Sequence, residues 1–200
     1  MNNKIRKASH KDTYRLTSSL ARAFNDDPVI NWLVRKDKKR THGMEILFQS
    51  CISDLCLRHE HVLTTEDYTG GALWYPPGTL EAGYARQFTL IPKMITAVGW
   101  TGLLRLALAM EDMKKDHPRE RYYYLQFIGV VPENQGKGTG KALMKPILDI
   151  CDREKCGAFL QSSKEANIPF YRSFGFVVTK KIFPGTESPP LWLMWRSPKI

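Results

Sequence analysis

Between a strand-like run, Tyr122 to Val131, and a helix-like run, Ala142 to Glu154, the chain places Pro132-Glu133-Asn134-Gln135-Gly136-Lys137-Gly138-Thr139-Gly140-Lys141. The composition of this loop suits wrapping backbone around a phosphate. Glycines at alternate positions remove the Cβ atoms that would hold main chain away from a ligand. They also permit φ > 0, so that successive N–H groups converge on one anion. The following helix adds its own free N–H groups and positive dipole end. Lys137 and Lys141 bring formal positive charge to the same place, which a pyrophosphate or a 3′-phosphorylated nucleotide would satisfy. The loop therefore predicts a phosphate-bearing cofactor.

Spacing separates it from the commoner phosphate loops. A Walker A loop needs Gly, four residues, Gly-Lys and then Ser or Thr. Here the gap between Gly136 and Gly140-Lys141 is one residue short, and Ala142 stands where the metal-binding hydroxyl belongs. A dinucleotide fingerprint separates its third glycine from the Gly-x-Gly pair by two residues and follows with an acidic residue roughly 20 positions on. Evenly spaced glycines do not meet that pattern. They do meet the pattern apolar-x-Val-x-Pro, a short gap, Gln or Arg-Gly-x-Gly-x-Gly or Ala, with Ile128, Val130, Pro132, Gln135, Gly136, Gly138 and Gly140 in place. In this the chain resembles the GCN5-related N-acetyltransferase (GNAT) family. Downstream, Asn167-Ile168-Pro169-Phe170-Tyr171-Arg172-Ser173-Phe174-Gly175-Phe176 resembles the second element of that family. The resemblance covers Tyr122 to Phe176. More loosely, Ala23 to Pro28 and Gly71 to Gly78 look like the antibiotic-modifying branch typified by puromycin acetyltransferase.

The resemblance implies an α/β (α+β) fold, with a central mixed, mostly antiparallel sheet of about six or seven strands flanked by helices. It implies acetyl-CoA as acetyl donor, held by Ile128, Gly129 and Val130 along the pantetheine arm. Gln135, Gly136, Lys137, Gly138, Thr139, Gly140 and Lys141 would surround the pyrophosphate, and Asn167 would bond the arm. Tyr171 would lie near the sulfur as the acid for the departing thiolate, since a phenol of pKa about 10 is protonated at neutral pH. An isolated glycine in a strand marks a bulge, a close backbone approach or simple packing, and Gly129 is expected to mark the bulge where the central strand splays from its neighbour.

The general base is harder to find. Where many family members carry a glutamate on the central strand, this chain has Gln126. Alternation puts Tyr122, Tyr124 and Gln126 on one face, where they could hold a water or line the acceptor pocket. Asp26 and Asp27 could bind a cationic amine or serve only the turn before Pro28. The aromatic segments Trp74-Tyr75, Tyr122 to Tyr124 and Trp192 to Trp195 could line an acceptor pocket or form sheet core. His59-Glu60-His61 lacks a third ligand, and no metal is expected. The reading is an acetyl-CoA-dependent N-acetyltransferase acting on a primary amine of a small molecule. The alternatives are acetylation of a protein or peptide amino group and a non-catalytic acyl-CoA sensor.

Bulk properties set limits. The chain of 200 residues, 42% of them apolar, suits one domain spanning residues 1–200. No apolar run of membrane-spanning length and no signal core follows the N-terminus, so a cytoplasmic protein with no membrane partner is expected. The formal charge of +10 is concentrated partly in Arg35 to Arg40 and partly in the loop. It would steer polyanionic CoA, while the lack of interleaved aromatics argues against nucleic acid. Cys51, Cys56, Cys151 and Cys156 are expected to be reduced and packed, and the C-terminal strand could pair across a homodimer. Periodicity predicts a first helix whose apolar face holds Tyr14, Leu16, Leu20 and Phe24, and a second from Met44 to Cys56. A hairpin follows, His61 to Thr65 with Gly71 to Tyr75. Helices at Tyr84 to Met94 and Gly102 to Lys115 are interrupted at Pro92, and one from Thr139 to Glu154 is kinked or broken at Pro146. Strands at Ala158 to Gln161, Phe176 to Lys181 and Leu191 to Trp195 complete the sheet.

Overall fold

The structure, a computed structural model, describes residues 4–80 and 90–199, and only the backbone of residues 54–56. Seven strands form one sheet: β1 (Ile5–Lys7), β2 (Val62–Thr65), β3 (Gly70–Tyr75), β4 (Tyr122–Val130), β5 (Gly157–Ser162), β6 (Val177–Ile182) and β7 (Leu191–Arg196). Their order is β1-β2-β3-β4-β5-β7-β6. Every pairing is antiparallel except that of β4 with β5. The expected mixed, mostly antiparallel sheet is thus present.

The first helix, α1 (Thr13–Ala23), is entered through a short 3₁₀ turn, His10–Asp12. The Asp12 carboxylate accepts from the Ser9 amide at 2.7 Å, from both terminal nitrogens of Arg6 at 2.8 Å and from the Tyr68 hydroxyl at 2.8 Å. The Arg6 guanidinium above all, with these donors, holds the Asp12 carboxyl far below the usual carboxylate range. That cluster ties the start of α1 to the turn between β2 and β3. Leu16 and Leu20 are fully buried, whereas Tyr14, expected on the same face, is exposed. At the far end α1 comes down on β4, where a Cβ on Gly129 would stand 2.9 Å from the Ala23 Cβ and 3.0 Å from the Phe24 ring.

Asp27 begins a short helix, α2 (Pro28–Leu33), that periodicity did not signal. The predicted second helix is α3 (Arg40–Gln49), and its expected C-terminal half is instead a wider π-type turn, Ser50–Cys56. The expected helix Tyr84 to Met94 falls largely outside the described residues. Pro92 does not interrupt α4 (Ile91–Lys115), because it stands in the first turn, where its missing N–H costs nothing. The break is at Gly99, with φ 75° and ψ 177°. By length and composition α4 could cross a membrane, but neither stretch flanking Gly99 reaches the ~20 residues that a span needs. The helix after the loop, α5 (Thr139–Arg153), runs through Pro146 as one element rather than ending there, and α6 (Ile168–Arg172) is short. Cys51, Cys151 and Cys156 are buried and unbridged.

Two cores sandwich the sheet. One, under α1, α3 and α4, holds Leu16, Leu20, Phe48, Leu73, Tyr124 and Phe159. The other, under α5 and α6, holds Trp74, Tyr123, Leu125, Leu143, Met144 and Tyr171. Strand β4 changes face between them. Tyr122 and Tyr124 belong to the first core and Tyr123 and Leu125 to the second, yet Phe127 packs on the first and Ile128 and Val130 on the second. Strict alternation would give the reverse. The cause is a bulge: Leu73 of β3 stands opposite Phe127 and Trp74 opposite Leu125, leaving Gln126 as the extra residue. The bulge expected at Gly129 is therefore at Gln126, since Gly129 pairs regularly with Gly71. For the same reason Gln126 does not continue the face of Tyr122 and Tyr124.

His117 lies against the first core, with Nδ1 2.7 Å from the Tyr122 hydroxyl and Nε2 buried without a partner among the described residues. Burial lowers its pKa to about 4, with the Asp116 carboxylate opposing. The unfolded chain binds this proton near pH 6.5 and the folded one does not until about pH 4. Stability is therefore full above pH 6.5 and falls as pH drops through that window, by up to about 3 kcal/mol. Urea midpoints measured from pH 7 to pH 4 should fall less steeply in His117→Phe than in the wild type, and parallel curves would refute the assignment.

Candidate active site

Parallel pairing of β4 with β5 runs from Tyr122 opposite Gly157 to Leu125 opposite Leu160 and stops. Beyond it β4 continues to Val130 and β5 to Ser162, so the strands part next to the Gln126 bulge. Along this side of β4, main-chain groups past Leu125 are released from pairing with β5.

A cleft of about 500 Å³ opens on that parting. Ile128, Gly129 and Val130 line it from β4. Gln135, Gly136, Gly138, Thr139, Gly140 and Lys141 line it from the loop and the start of α5, and Asn167 and Tyr171 from the segment around α6. The structure thus brings together every residue that the resemblance assigns to the acetyl donor except Lys137, whose Nζ donates to the Glu133 carbonyl at 2.6 Å. Gly136 and Gly138 have φ 73° and 83°, conformations that a Cβ would strain. Gly138 is the N-cap of α5, so the first-turn N–H groups, which no helix can satisfy internally, belong to residues lining the cleft. This is the main-chain cradle an anion requires. Arg22, Lys141 and Lys164 also line the cleft, and Arg22 pairs with Glu133 of the loop at 2.5 Å. Gln135 spends its Nε2 on the Val130 carbonyl at 3.0 Å, fixing the corner between strand and loop.

A smaller cavity of about 50 Å³ lies where β4 and β5 separate, between Gln126 and Phe127 on one strand and Leu160 and Gln161 on the other. Phe24, Asp27, Ile128, Asn167 and Tyr171 line both spaces. Tyr171 is 7% exposed, and its hydroxyl has no hydrogen-bond partner among the described residues. Burial, and after it the negative charge of Asp27, hold its pKa above the ordinary phenol range.

Asp26 and Asp27, considered together in the sequence, separate here. Asp26 is exposed and pairs with Lys164 at 2.8 Å, whose hydrogen bond lowers its pKa. Asp27 is 4% exposed. One oxygen accepts from the Val29 and Ile30 amides at 3.0 Å, capping α2, and the other accepts from the Ser163 hydroxyl. It forms no ion pair among the described residues. The side chain that caps the turn thus also lines the cleft. Ser163 and Gln161 had no local sequence signal. The aromatic segments form core instead of cleft: Trp74, Tyr75, Tyr123, Tyr124 and Trp192 are buried, and the aromatic walls are Phe24, Phe127 and Phe170. Among the described residues no group of three His, Cys, Asp or Glu side chains could hold a metal.

A glycine-lined helix start opening onto two splayed strands is an arrangement suited to an acyl-CoA-dependent acetyltransferase, and the comparisons with known proteins agree. The model of the Acetyltransferase (GNAT) family matches residues 74–176. An uncharacterized N-acetyltransferase of Schizosaccharomyces pombe is 30% identical over 94% of this chain and 81% of its own length. The chain belongs to the GNAT family and is an N-acetyltransferase, with acetyl-CoA the donor that the family implies. A crystal structure from Corynebacterium glutamicum, described as histone acetyltransferase HPA2 and related acetyltransferase, superposes with a TM-score of 0.76 at 20% identity, covering 98% of this chain and 97% of that one. Arylalkylamine N-acetyltransferase 2 of Aedes aegypti gives 0.62 at 15% identity over 98% and 99%. At such identities these two establish the fold alone.

Proposed function

We propose that the chain transfers the acetyl group of acetyl-CoA directly to the primary amine of a small molecule, with Asp27 as base and Tyr171 as the donor to the leaving sulfur. The observation that carries this reading is the pair itself. A buried carboxylate without an ion-pair partner and a buried phenol without a hydrogen-bond partner, both among the described residues, line both the large cleft and the small cavity. A carboxylate in that position attracts an ammonium group, which supplies the missing counter-charge.

The steps follow from the residues. The loop and the first turn of α5 hold the phosphates, and the unpaired side of β4 beyond Leu125 takes the pantetheine arm and offers main-chain N–H to the thioester carbonyl. The bound ammonium group first gives up one proton to solvent, and its neutral nitrogen then bonds to the carbonyl carbon. As it does so its remaining N–H becomes strongly acidic, and the Asp27 carboxylate removes that second proton. The carbon–sulfur bond breaks and the electron pair leaves with sulfur, toward which Tyr171 donates. Loss of the Asp27 charge on protonation removes one of the two influences that raise the Tyr171 pKa. Proton removal at one residue therefore makes proton donation easier at the other. Gln126, unable to act as a base, is not required.

The test is thiol release from acetyl-CoA by purified protein against puromycin, polyamines, aminoglycosides, amino acids, amino-acid amides, simple alkylamines and lysine peptides. Acceptor-dependent release with small amines is the expected result. Release with peptides alone would replace the small-molecule acceptor by a chain amino group, and binding of acetyl-CoA without release on any amine would refute transfer.

A further inference from the structure

We infer that Gln161 reads an oxygen on the acceptor, so that the amine acetylated here carries a carbonyl or hydroxyl oxygen beside its nitrogen, as an aminoacyl amide does. The inference rests on the amine-acetylating function above and names the class of amine. Gln161 follows Leu160, the last β5 residue paired with β4, and lines the small cavity at the parting of the strands. Its Oε1 accepts from the Tyr124 hydroxyl at 3.2 Å. That bond commits the oxygen of the amide and leaves Nε2, which is buried and has no partner among the described residues.

A buried N–H without an acceptor costs free energy that a ligand can restore. Of the other polar side chains around the cavity, Ser163 and Ser162 already donate their hydroxyls, to Asp27 and to the Lys164 carbonyl, and Tyr171 is the donor to sulfur in the function above. Gln126 and Asn167 also line it, but of the three amides Gln161 is the one with a buried nitrogen left without a partner among the described residues. The space therefore presents a carboxylate suited to an ammonium group and an amide donor suited to an oxygen. A plain alkylamine would satisfy the first and leave Gln161 bare. A polyamine would set a second donor against a donor. An α-amino carbonyl group meets both, with nitrogen and oxygen close enough to share a cavity of about 50 Å³.

The experiment compares alaninamide with 3-methyl-2-butylamine, an amine of similar size with an isopropyl group in place of the carboxamide, in the wild type, Gln161→Leu and Gln161→Glu. Taking the ratio of kcat/KM for the two amines within each protein, then comparing proteins, cancels their different basicities. The preference for alaninamide should fall about tenfold in Gln161→Leu, the worth of one hydrogen bond, and the change should lie in KM. Gln161→Glu keeps an oxygen for Tyr124 but offers no donor, so it should lose alaninamide selectively as well, which guards against a folding defect in the leucine variant. An alanyl tripeptide run alongside tells a small acceptor from a chain terminus, since both carry the same α-amino carbonyl chemistry. An unchanged ratio in both variants overturns the inference. So does an equal loss of kcat on both amines, which would assign Gln161 to the acetyl donor. No release with any amine in the wild type would instead overturn the acetyl-transfer function, and this inference with it.

Discussion

Asp27→Asn should lower kcat/KM by about 10²- to 10³-fold, within the range a positioned general base contributes, while the protein stays folded. The substitution is chosen because Asp27 holds two functions that asparagine separates. The cap on α2 needs an oxygen that accepts from the Val29 and Ile30 amides, and asparagine retains one. Ser163, whose hydroxyl donates to the second oxygen, can turn to accept from an amide N–H instead. Only the charge and the basicity are lost. Asp27→Ala would remove the cap too, at about 1 kcal/mol, and would confuse stability with chemistry. Thermal melts beside steady-state kinetics make the distinction. If Asp27→Asn keeps its melting temperature and its activity within a few-fold, Asp27 is a cap and nothing more.

Tyr171→Phe should lower kcat by tenfold or more and leave the affinity for CoA nearly unchanged. The hydroxyl has no partner among the described residues, so its loss breaks no hydrogen bond among them, while the ring keeps its packing against Phe170 and Phe176. The structure also refines the role that sequence suggested. A phenol near its ordinary pKa could hand its proton to a thiolate of similar basicity, but burial lifts Tyr171 above that range. Complete transfer is then uphill while Asp27 is charged, and Tyr171 acts first as a hydrogen-bond donor to sulfur. A thioester whose leaving thiol is more acidic needs that donor less, so the penalty should shrink when such a donor replaces acetyl-CoA. A penalty that is the same for both thioesters would argue that Tyr171 only shapes the cleft.

The glycine loop that lines the cleft was legible because it is local: three glycines, a proline and a helix start lie within one short run, Pro132 to Lys141, and spacing alone distinguishes them from other loops. Asn167 and Tyr171 were legible through the family resemblance, and the structure sets both on the cleft. Asp27, Ser163 and Gln161 could not be assembled in the same way, since α1–α2 and the end of β5 meet only through the fold. Asp27-Pro28 reads as turn chemistry, and Asp27 does cap α2, while its place on the cleft shows only in the fold. The bulge was misplaced because glycine is the usual sequence sign of one. Gly129 instead serves the close approach of α1, and the extra residue is a glutamine with no local mark. Likewise Pro92 looked like a break and proved to be a helix start, while the real interruption, Gly99, lay in a continuous apolar run.

The bulge in β4 has a bearing on what such a chain must keep. Upstream of Gln126 the odd-numbered residues face α5 and α6, and downstream the even-numbered ones do. Gln126 is thus an insertion that shifts the numbering and not the faces. Its loss would join Leu125 to Phe127 in ordinary alternation, with Phe127 still on one face and Ile128 and Val130 still on the other. What would go is the irregularity next to which β4 and β5 part. The cleft therefore sits beside a residue whose removal would make the sheet more regular, so a chain of this design keeps an imperfection that sheet pairing alone would discard.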